Sequence, residues 1–311
     1  MDYLYSIELP FTNTNLQYKE LSSSQQLNLC KLNILYPLNN ERSNIIDYSS
    51  FFKEIILKSI KNKKNLNNIN IIEYILFVTK LRITSIGKDL NLLLEKDSQN
   101  QIKVTIDLNN FIKKLYEVSL ECLKDNIINI KNLKIIIDWP AIESENMFNS
   151  ESEEPVTSSI LKYIKHISVN DSDIIDFSKF NESEQKNLYE KFPLSVKNSI
   201  QEKVLKMIQT LSNSNLFELE IMKGFGFNFY NTSYQRFIRY LFSGNIRNIY
   251  QEYYILASKN INPSYVDNMS ISERTIYCSF IEEEVNARNE VSSNNSNSTD
   301  LEKLMAEFGE Q

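Results

Sequence analysis

The chain has 311 residues, 42% of them hydrophobic and 24% charged, enough to bury one large domain or two modest lobes without covalent staples. Its formal net charge of -6 and pI near 5.2 argue against the basic field with which a dedicated nucleic-acid binder approaches phosphate. Three cysteines, Cys30, Cys122 and Cys278, are far apart and odd in number, which speaks against a disulfide framework and fits a reducing cytoplasm.

The opening Met1-Asp2-Tyr3-Leu4 is acidic where a signal peptide carries positive charge, so no secretion by that route is expected. The most apolar run, Ile71 to Val78, contains Glu73 and is far short of the roughly 20 residues that span a bilayer. A soluble protein with no membrane partner is therefore expected. The sequons at Asn231, Asn268 and Asn297 are set aside with it, because glycosylation needs secretion.

Along the first forty residues, Ser6 to Phe11 and Leu29 to Leu35 read as strands or docking segments. From Ser50 the pattern turns helical: Phe51, Phe52, Ile55, Ile56 and Ile60 recur at three and four residues. The helix stops in the Asn/Lys stretch from Asn62 to Asn68, and Asn70 with Glu73 predicts a capping box opening a second helix toward Thr84. After Ser85-Ile86-Gly87-Lys88, alternation at Ile102, Val104, Ile106 and Leu108 predicts a β-hairpin over Leu90 to Leu108. Phe111, Leu115, Val118 and Cys122 then share one helical face, giving Cys122 a core role, and Leu133, Ile135 and Ile137 alternate as a strand closed by Trp139-Pro140.

Residues 141 to 158 carry five glutamates, Glu143, Glu145, Glu151, Glu153 and Glu154, with no basic residue, and read as a loop or lobe boundary. Asn181 with Glu184 caps a short helix, Pro193 opens the next, and that helix buries Ile200, Val204, Ile208 and Leu211. Phe217 to Phe229 alternates around Lys223-Gly224 as a second hairpin. Closing helices carry Tyr234, Phe237, Ile238 and Leu241, then Ile246, Ile249, Tyr250 and Tyr253, then Ile276, Tyr277, Phe280 and Ile281 behind a Ser270–Glu273 cap.

The polar stretch from Asn289 to Thr299 predicts a flexible linker. Beyond it Leu301, Leu304, Met305 and Phe308 form a short amphipathic segment, too short to stand alone and expected to fold on a partner protein. The fold class that results is α+β: mainly helical, with two β-hairpins, a few additional strands and a flexible C-terminal tail. Its division is an N-terminal lobe over 1–140, an acidic loop or linker over 141–170, a C-terminal lobe over 171–288 and the tail over 289–311.

Chemistry is hard to assemble from these residues. The only histidine is His166, no thiol has a second thiol or histidine at ligand spacing, and five glycines form no phosphate-cradling loop. No catalytic, metal or cofactor site is expected. Lys58, Lys61, Lys63 and Lys64 form the one basic cluster, placed where cations favour a helix C-terminus, or where an acidic partner would be met.

Four stretches together resemble the baseplate hub assembly protein family of T-even-type myoviruses. They are the helix ending in Ser85-Ile86-Gly87-Lys88, the strand Lys131 to Asp138 closed by Trp139-Pro140, the helix and hairpin from Lys203 to Tyr230, and a terminal block. That block comprises Phe237 to Tyr253, Asn262 to Tyr265 and the Ser272-Glu273-Arg274 turn. The long acidic insert, the tail and the lack of cysteine pairs near the hairpins depart from that family. The resemblance implies a protein made in the host cytoplasm that builds the tail baseplate hub by contact with other phage baseplate or tail proteins, as a component or as an assembly chaperone. Two further readings stay open at this point: an enzyme whose carboxylates converge without a sequence signature, and a helical adaptor unrelated to phage.

Overall fold

The computed structural model describes residues 4–36, 42–97, 100–142, 160–170, 174–216 and 233–308. They form a mainly helical α+β fold. The chain gathers into two compact units, one of Met1–Leu21 with Asn28–Gly244, the other of Ser22–Leu27 with Asn245–Gln311.

The first unit opens with an antiparallel hairpin, β1 (Tyr5–Leu9) and β2 (Thr14–Tyr18), whose turn holds Asn13 at φ 50, a left-handed conformation that asparagine tolerates. Helix α1 (Ser23–Leu35) follows, where the sequence predicts an extended segment from Leu29 to Leu35. A short apolar run does not fix its own period. What decides it lies upstream: the Gln25 N–H donates to Ser22 Oγ at 3.3 Å and the Ser22 N–H to Gln25 Oε1 at 2.9 Å, a reciprocal cap that starts a helix.

Helix α2 (Arg42–Leu57) starts earlier than its apolar stripe suggests and buries Tyr48, Phe52 and Ile56 at four-residue spacing. After it the chain runs beside β2: the Lys19 N–H donates to the Ser59 carbonyl at 2.9 Å and the Lys61 N–H to the Gln17 carbonyl at 3.0 Å. A 3-10 turn (Lys63–Asn68) leads into α3 (Ile71–Ile86), the central helix of the unit. Ile71, Ile72, Ile75, Leu76, Phe77, Val78 and Leu81 are all buried, as expected of a helix surrounded on most sides.

The expected capping box is present, and it does more than cap. Glu73, 0% exposed, accepts the backbone N–H of Phe11 at 2.8 Å and of Thr12 at 2.9 Å on Oε1, and the Thr12 hydroxyl at 2.9 Å and the Asn70 N–H at 3.3 Å on Oε2. A carboxylate this deep is tolerable only when its lone pairs are filled. Here the filling ties the β1–β2 turn to the positive end of α3. At the other end of α3, Gly87 turns at φ +124, and buried Arg82 donates from Nε to the Leu241 carbonyl at 2.7 Å and from Nη1 to the Gly87 carbonyl at 2.6 Å.

The first predicted hairpin is β3 (Asp89–Asp97) with β4 (Asn100–Asp107), and its end passes directly into α4 (Leu108–Leu123). Asp107 caps that helix, accepting the N–H of Asn109 at 2.8 Å. Four antiparallel strands make the other substantial sheet: β5 (Ile127–Ile130), β6 (Leu133–Ile137), β7 (Ile164–Val169) and β8 (Ile175–Asp176), in that order. Strands β6 and β7 flank the acidic stretch and pair with each other.

Helix α5 (Glu182–Glu190) opens on the predicted Asn181–Glu184 box, and α6 (Leu194–Asn213) buries Ile200, Val204, Ile208 and Leu211 as expected, with Pro193 as its N-cap. Helix α7 (Ser233–Leu241) completes the unit; Phe237 packs its ring 4.7 Å from that of Phe111 on α4. The second predicted hairpin, Phe217 to Phe229, and the acidic residues 143–158 lie outside the described residues.

The second unit contains α8 (Ile246–Ser258), α9 (Pro263–Asn268) and α10 (Ile271–Phe308), with the first turn of α1. Leu256, Val266 and Cys278 form its core, and Tyr253, Ile261 and Ile281 pack against them. Arg274, 2% exposed, donates to Glu252 Oε2 at 2.7 Å and to Gln26 Oε1 at 2.6 Å. Where the sequence predicts a linker from Asn289 to Thr299, the backbone of α10 continues as helix to Phe308. Asn and Ser disfavour a helix without forbidding it, and no Gly or Pro interrupts the chain before Gly309.

Candidate interaction surfaces

Three places test whether the body of the protein carries chemistry. His166 sits on β7 opposite Asp176, and Ser178 is near, which brings together the residue types of a nucleophilic triad. Their order is wrong for one. The Ser178 hydroxyl donates to Asp176 Oδ1 at 2.6 Å and its N–H to the same oxygen at 3.2 Å, so Asp176 is the N-cap of a short 3-10 turn and the serine is bonded to the acid instead of to the imidazole.

Neither Cys122 nor Cys278 is activated. Burial pushes Cys122 up to about 11, and its Sγ lies 3.6 Å from the Met207 carbonyl; burial raises Cys278 too. Cys122 is half-buried, in keeping with packing and not reactivity. Among the described residues no three His, Cys, Asp or Glu side chains gather as metal ligands would, and no helix is long and apolar enough to cross a membrane.

Concave and charged surfaces remain. A cleft of about 520 Å³ opens between the β1–β2 turn, α3 and α4, lined by Ile7, Leu76, Ile112 and Tyr116 with Lys80 and Lys113 at its edge. Its volume falls within the range of small-molecule pockets, and its polar groups are few. The basic cluster is placed in full view: Lys58, Lys61, Lys63 and Lys64 are all exposed. Helix α2 ends at Leu57, so only Lys58 flanks its C-terminus and the dipole accounts for that residue alone. The other three ride on the segment held against β2 and on the 3-10 turn, where nothing in the helix requires them.

A sequence model described as T4 bacteriophage base plate protein matches residues 2–216, more than half of the chain. The chain belongs to that family. Comparisons with curated proteins and with solved structures return no match. The base plate match spans the β1–β2 hairpin, the Glu73 network, Arg82, the basic cluster and the four-stranded sheet. Of the four stretches that carry the resemblance in the sequence, it covers the first two and the start of the third; the terminal block lies beyond it.

Beyond the base plate match lie α7 to α10, and on α10 the surface changes character. The sequence places Ile276, Tyr277, Phe280 and Ile281 on the last of the closing helices. Only Ile281 packs on the core; Ile276 is 52% exposed, Phe280 61% and Tyr277 38%. The reason is geometric: Cys278 and Ile281 take the inward face together with Ile271 and Arg274, which turns Ile276 and Phe280 to the opposite side. Glu282, Glu283 and Glu284 are exposed beside them. The proposed docking residues Leu301, Leu304, Met305 and Phe308 lie on the backbone of this same helix. Tyr265 joins the patch from α9, 53% exposed, its hydroxyl donating to Glu273 Oε1 at 3.2 Å. Apolar spacing alone could not separate these two faces, because both are apolar.

Proposed function

We propose that this base plate family protein is a non-catalytic component or assembly chaperone of the phage tail baseplate, acting at the hub through protein–protein contacts. The observation that carries this reading is the family match over residues 2–216. It is supported by the wrong order of the His166–Asp176–Ser178 group and by the burial that raises the Cys122 and Cys278 thiols. The hub assignment itself rests on the resemblance at Ser85 to Lys88 and at Lys131 to Pro140. Its partners are other baseplate or tail proteins met in the host cytoplasm during assembly, whether or not the chain stays in the virion.

In this reading the contacts are made by the exposed Lys58, Lys61, Lys63 and Lys64 and by the segment holding Leu301, Leu304, Met305 and Phe308. A tagged copy expressed during infection should co-purify with tail proteins, and disruption of its gene should leave infected cells without complete baseplates in electron micrographs. Intact, functional baseplates made in its absence would sink the proposal.

A further inference from the structure

The β1–β2 hairpin is used along one edge and open along the other. On the β2 side the Lys61 N–H donates to the Gln17 carbonyl at 3.0 Å and the Lys19 N–H to the Ser59 carbonyl at 2.9 Å, so Gln17 and Lys19 turn their backbone groups away from β1. Leu16 and Tyr18 then face β1 and bond to their register partners Ile7 and Tyr5. By the same alternation Ser6 and Glu8 turn their N–H and C=O groups out of the sheet. Among the described residues no strand pairs on that side and nothing bonds those groups. An open edge of this kind is a template for another strand, and proteins guard such edges with proline or charge. Pro10 closes only the end of this one.

Beside the open edge lies the cleft of about 520 Å³, where Ile7 faces Leu76 of α3 and Ile112 and Tyr116 of α4. A strand laid along β1 sends every second side chain to the face of Ile7, which is the face that lines the cleft. Leu76 is buried, while Ile7, Ile112 and Tyr116 are half-buried, so apolar side chains entering there would cover walls that are already partly dry. The charge at the rim is positive. Lys80 has no ion pair among the described residues, and Lys113 reaches Glu117 only at 4.0 Å. Glu8, the one acid in the lining, alternates with Ile7 and is exposed on the other face of β1 with Ser6.

These features select the occupant. A second copy laid edge to edge would bring its own β1, whose Leu9 is 0% exposed and whose Tyr5 stacks on Tyr18 and donates to Glu20 Oε1 at 2.7 Å. Only Ile7 would be left to enter the cleft. A small apolar acid would suit the lysines and leave the edge amides unmet. An extended segment of another protein, apolar at alternate positions and flanked by Asp or Glu, meets the backbone edge, the apolar walls and the two lysines together.

We infer that the free edge of β1 and the cleft beside it receive an extended, acidic-flanked segment of a partner protein as a third strand of the hairpin. The inference takes from the assembly reading only the expectation of a protein partner.

The test uses the purified full chain and labelled peptides of about ten residues. They carry valine at alternate positions and a pair of either glutamates or lysines at the ends, and are titrated to about 1 mM. The glutamate peptide should bind about threefold or more tighter than the lysine peptide, and the double exchange Lys80→Glu with Lys113→Glu should reverse the preference. N-methylation of one alternating set of peptide amides should weaken binding about tenfold or more and of the other set little, because only one set faces β1. Amide exchange at Ser6 and Glu8 should slow about tenfold in the complex. Glu8→Pro removes an N–H that β2 does not use, so it should weaken binding without moving the thermal midpoint; if that chain fails to fold, Ile112→Asn reads the cleft instead. Equal loss from both methylated sets, or no binding of either peptide, overturns the inference. So does binding of decanoate with no peptide binding, which would make a small apolar acid the occupant. A dimer in sedimentation that Glu8→Pro dissociates also overturns it, in favour of a second copy. Baseplates present or missing after gene disruption report on the assembly reading alone, so either idea can fail without the other.

Discussion

Helices α3 and α10, one in each compact unit, differ in what they bury and what they leave exposed. The first takes charge inward: Glu73 and Arg82 are buried at the two ends of α3, each bonded to backbone groups of other elements. The second leaves apolar residues outward, with Ile276 and Phe280 exposed on α10 and Tyr254 on α8 77% exposed. Buried, fully bonded charges rigidify the elements they join. Exposed apolar faces gain nothing until something covers them. Helix α3 lies inside the match to the base plate family and α10 beyond it.

The sharpest way to break the contrast is at Glu73. Glu73→Ala strips the acceptor from three backbone N–H groups and one hydroxyl, two of the N–H groups in the β1–β2 turn. Unsatisfied buried donors of this kind cost roughly 1–3 kcal/mol each and do not add fully, so a loss of about 3 kcal/mol or more is expected. Urea unfolding of the full chain measures it. Glu73→Gln should lie between, since its amide keeps one acceptor oxygen but sets donors against donors. If Glu73→Ala unfolds at the wild-type midpoint, the hairpin is not held by this carboxylate.

Arg82 should come next. Burial pushes its guanidinium down to about 10, against the pull of Asp89, and it still bonds the last carbonyl of α7 and the carbonyl of Gly87. Arg82→Met keeps the length and removes the donors, for an expected loss of about 2 kcal/mol. Arg82→Lys should recover only part, because one ammonium cannot reach in two fixed directions as the guanidinium fork does. Equal stability of the lysine and arginine proteins in the same urea titration would contradict the geometry.

Asp107 is smaller and depends on pH. The Asn109 N–H it accepts holds its carboxyl below the usual range, with a second bond from Asn110 and the charge of Lys88 adding to this against a slight opposing effect of burial. A carboxyl whose folded pKa is depressed contributes stability above its unfolded value, near about 3.9, and that contribution is lost as pH falls through the folded value. Asp107→Ala should therefore lose about 1 kcal/mol, typical of a helix cap, at neutral pH. The difference should shrink on acidification below about pH 4, and Asp107→Asn should retain the cap without the pH dependence.

What was legible beforehand follows the same divide. The capping boxes at Asn70 and Asn181, the β3–β4 hairpin and the stripe of α6 are local signals, and local signals are written in neighbouring residues. Helix α1 shows the limit: its apolar run fits either period, and only the Ser22–Gln25 cap decides it. That Glu73 also holds Phe11 and Thr12 could not be read, because the partners are more than sixty residues away. Nor could the sequence show which apolar stripe of α10 meets the core, since that depends on where Leu256 and Val266 stand. The basic cluster was visible as charge, but its place on the segment beside β2 was not.

The smallest expected effect on stability belongs to the C-terminal end. Truncation before Asp300 removes Leu301, Leu304, Met305 and Phe308, all beyond the core of Leu256, Val266 and Cys278. It should shift the thermal midpoint of the chain by no more than a degree or two, since about 1 kcal/mol moves a domain of this size only about 2–4 °C. Partner binding, read as tail proteins co-purifying with the tagged chain, should suffer far more, because the truncation removes the four residues proposed to dock on a partner.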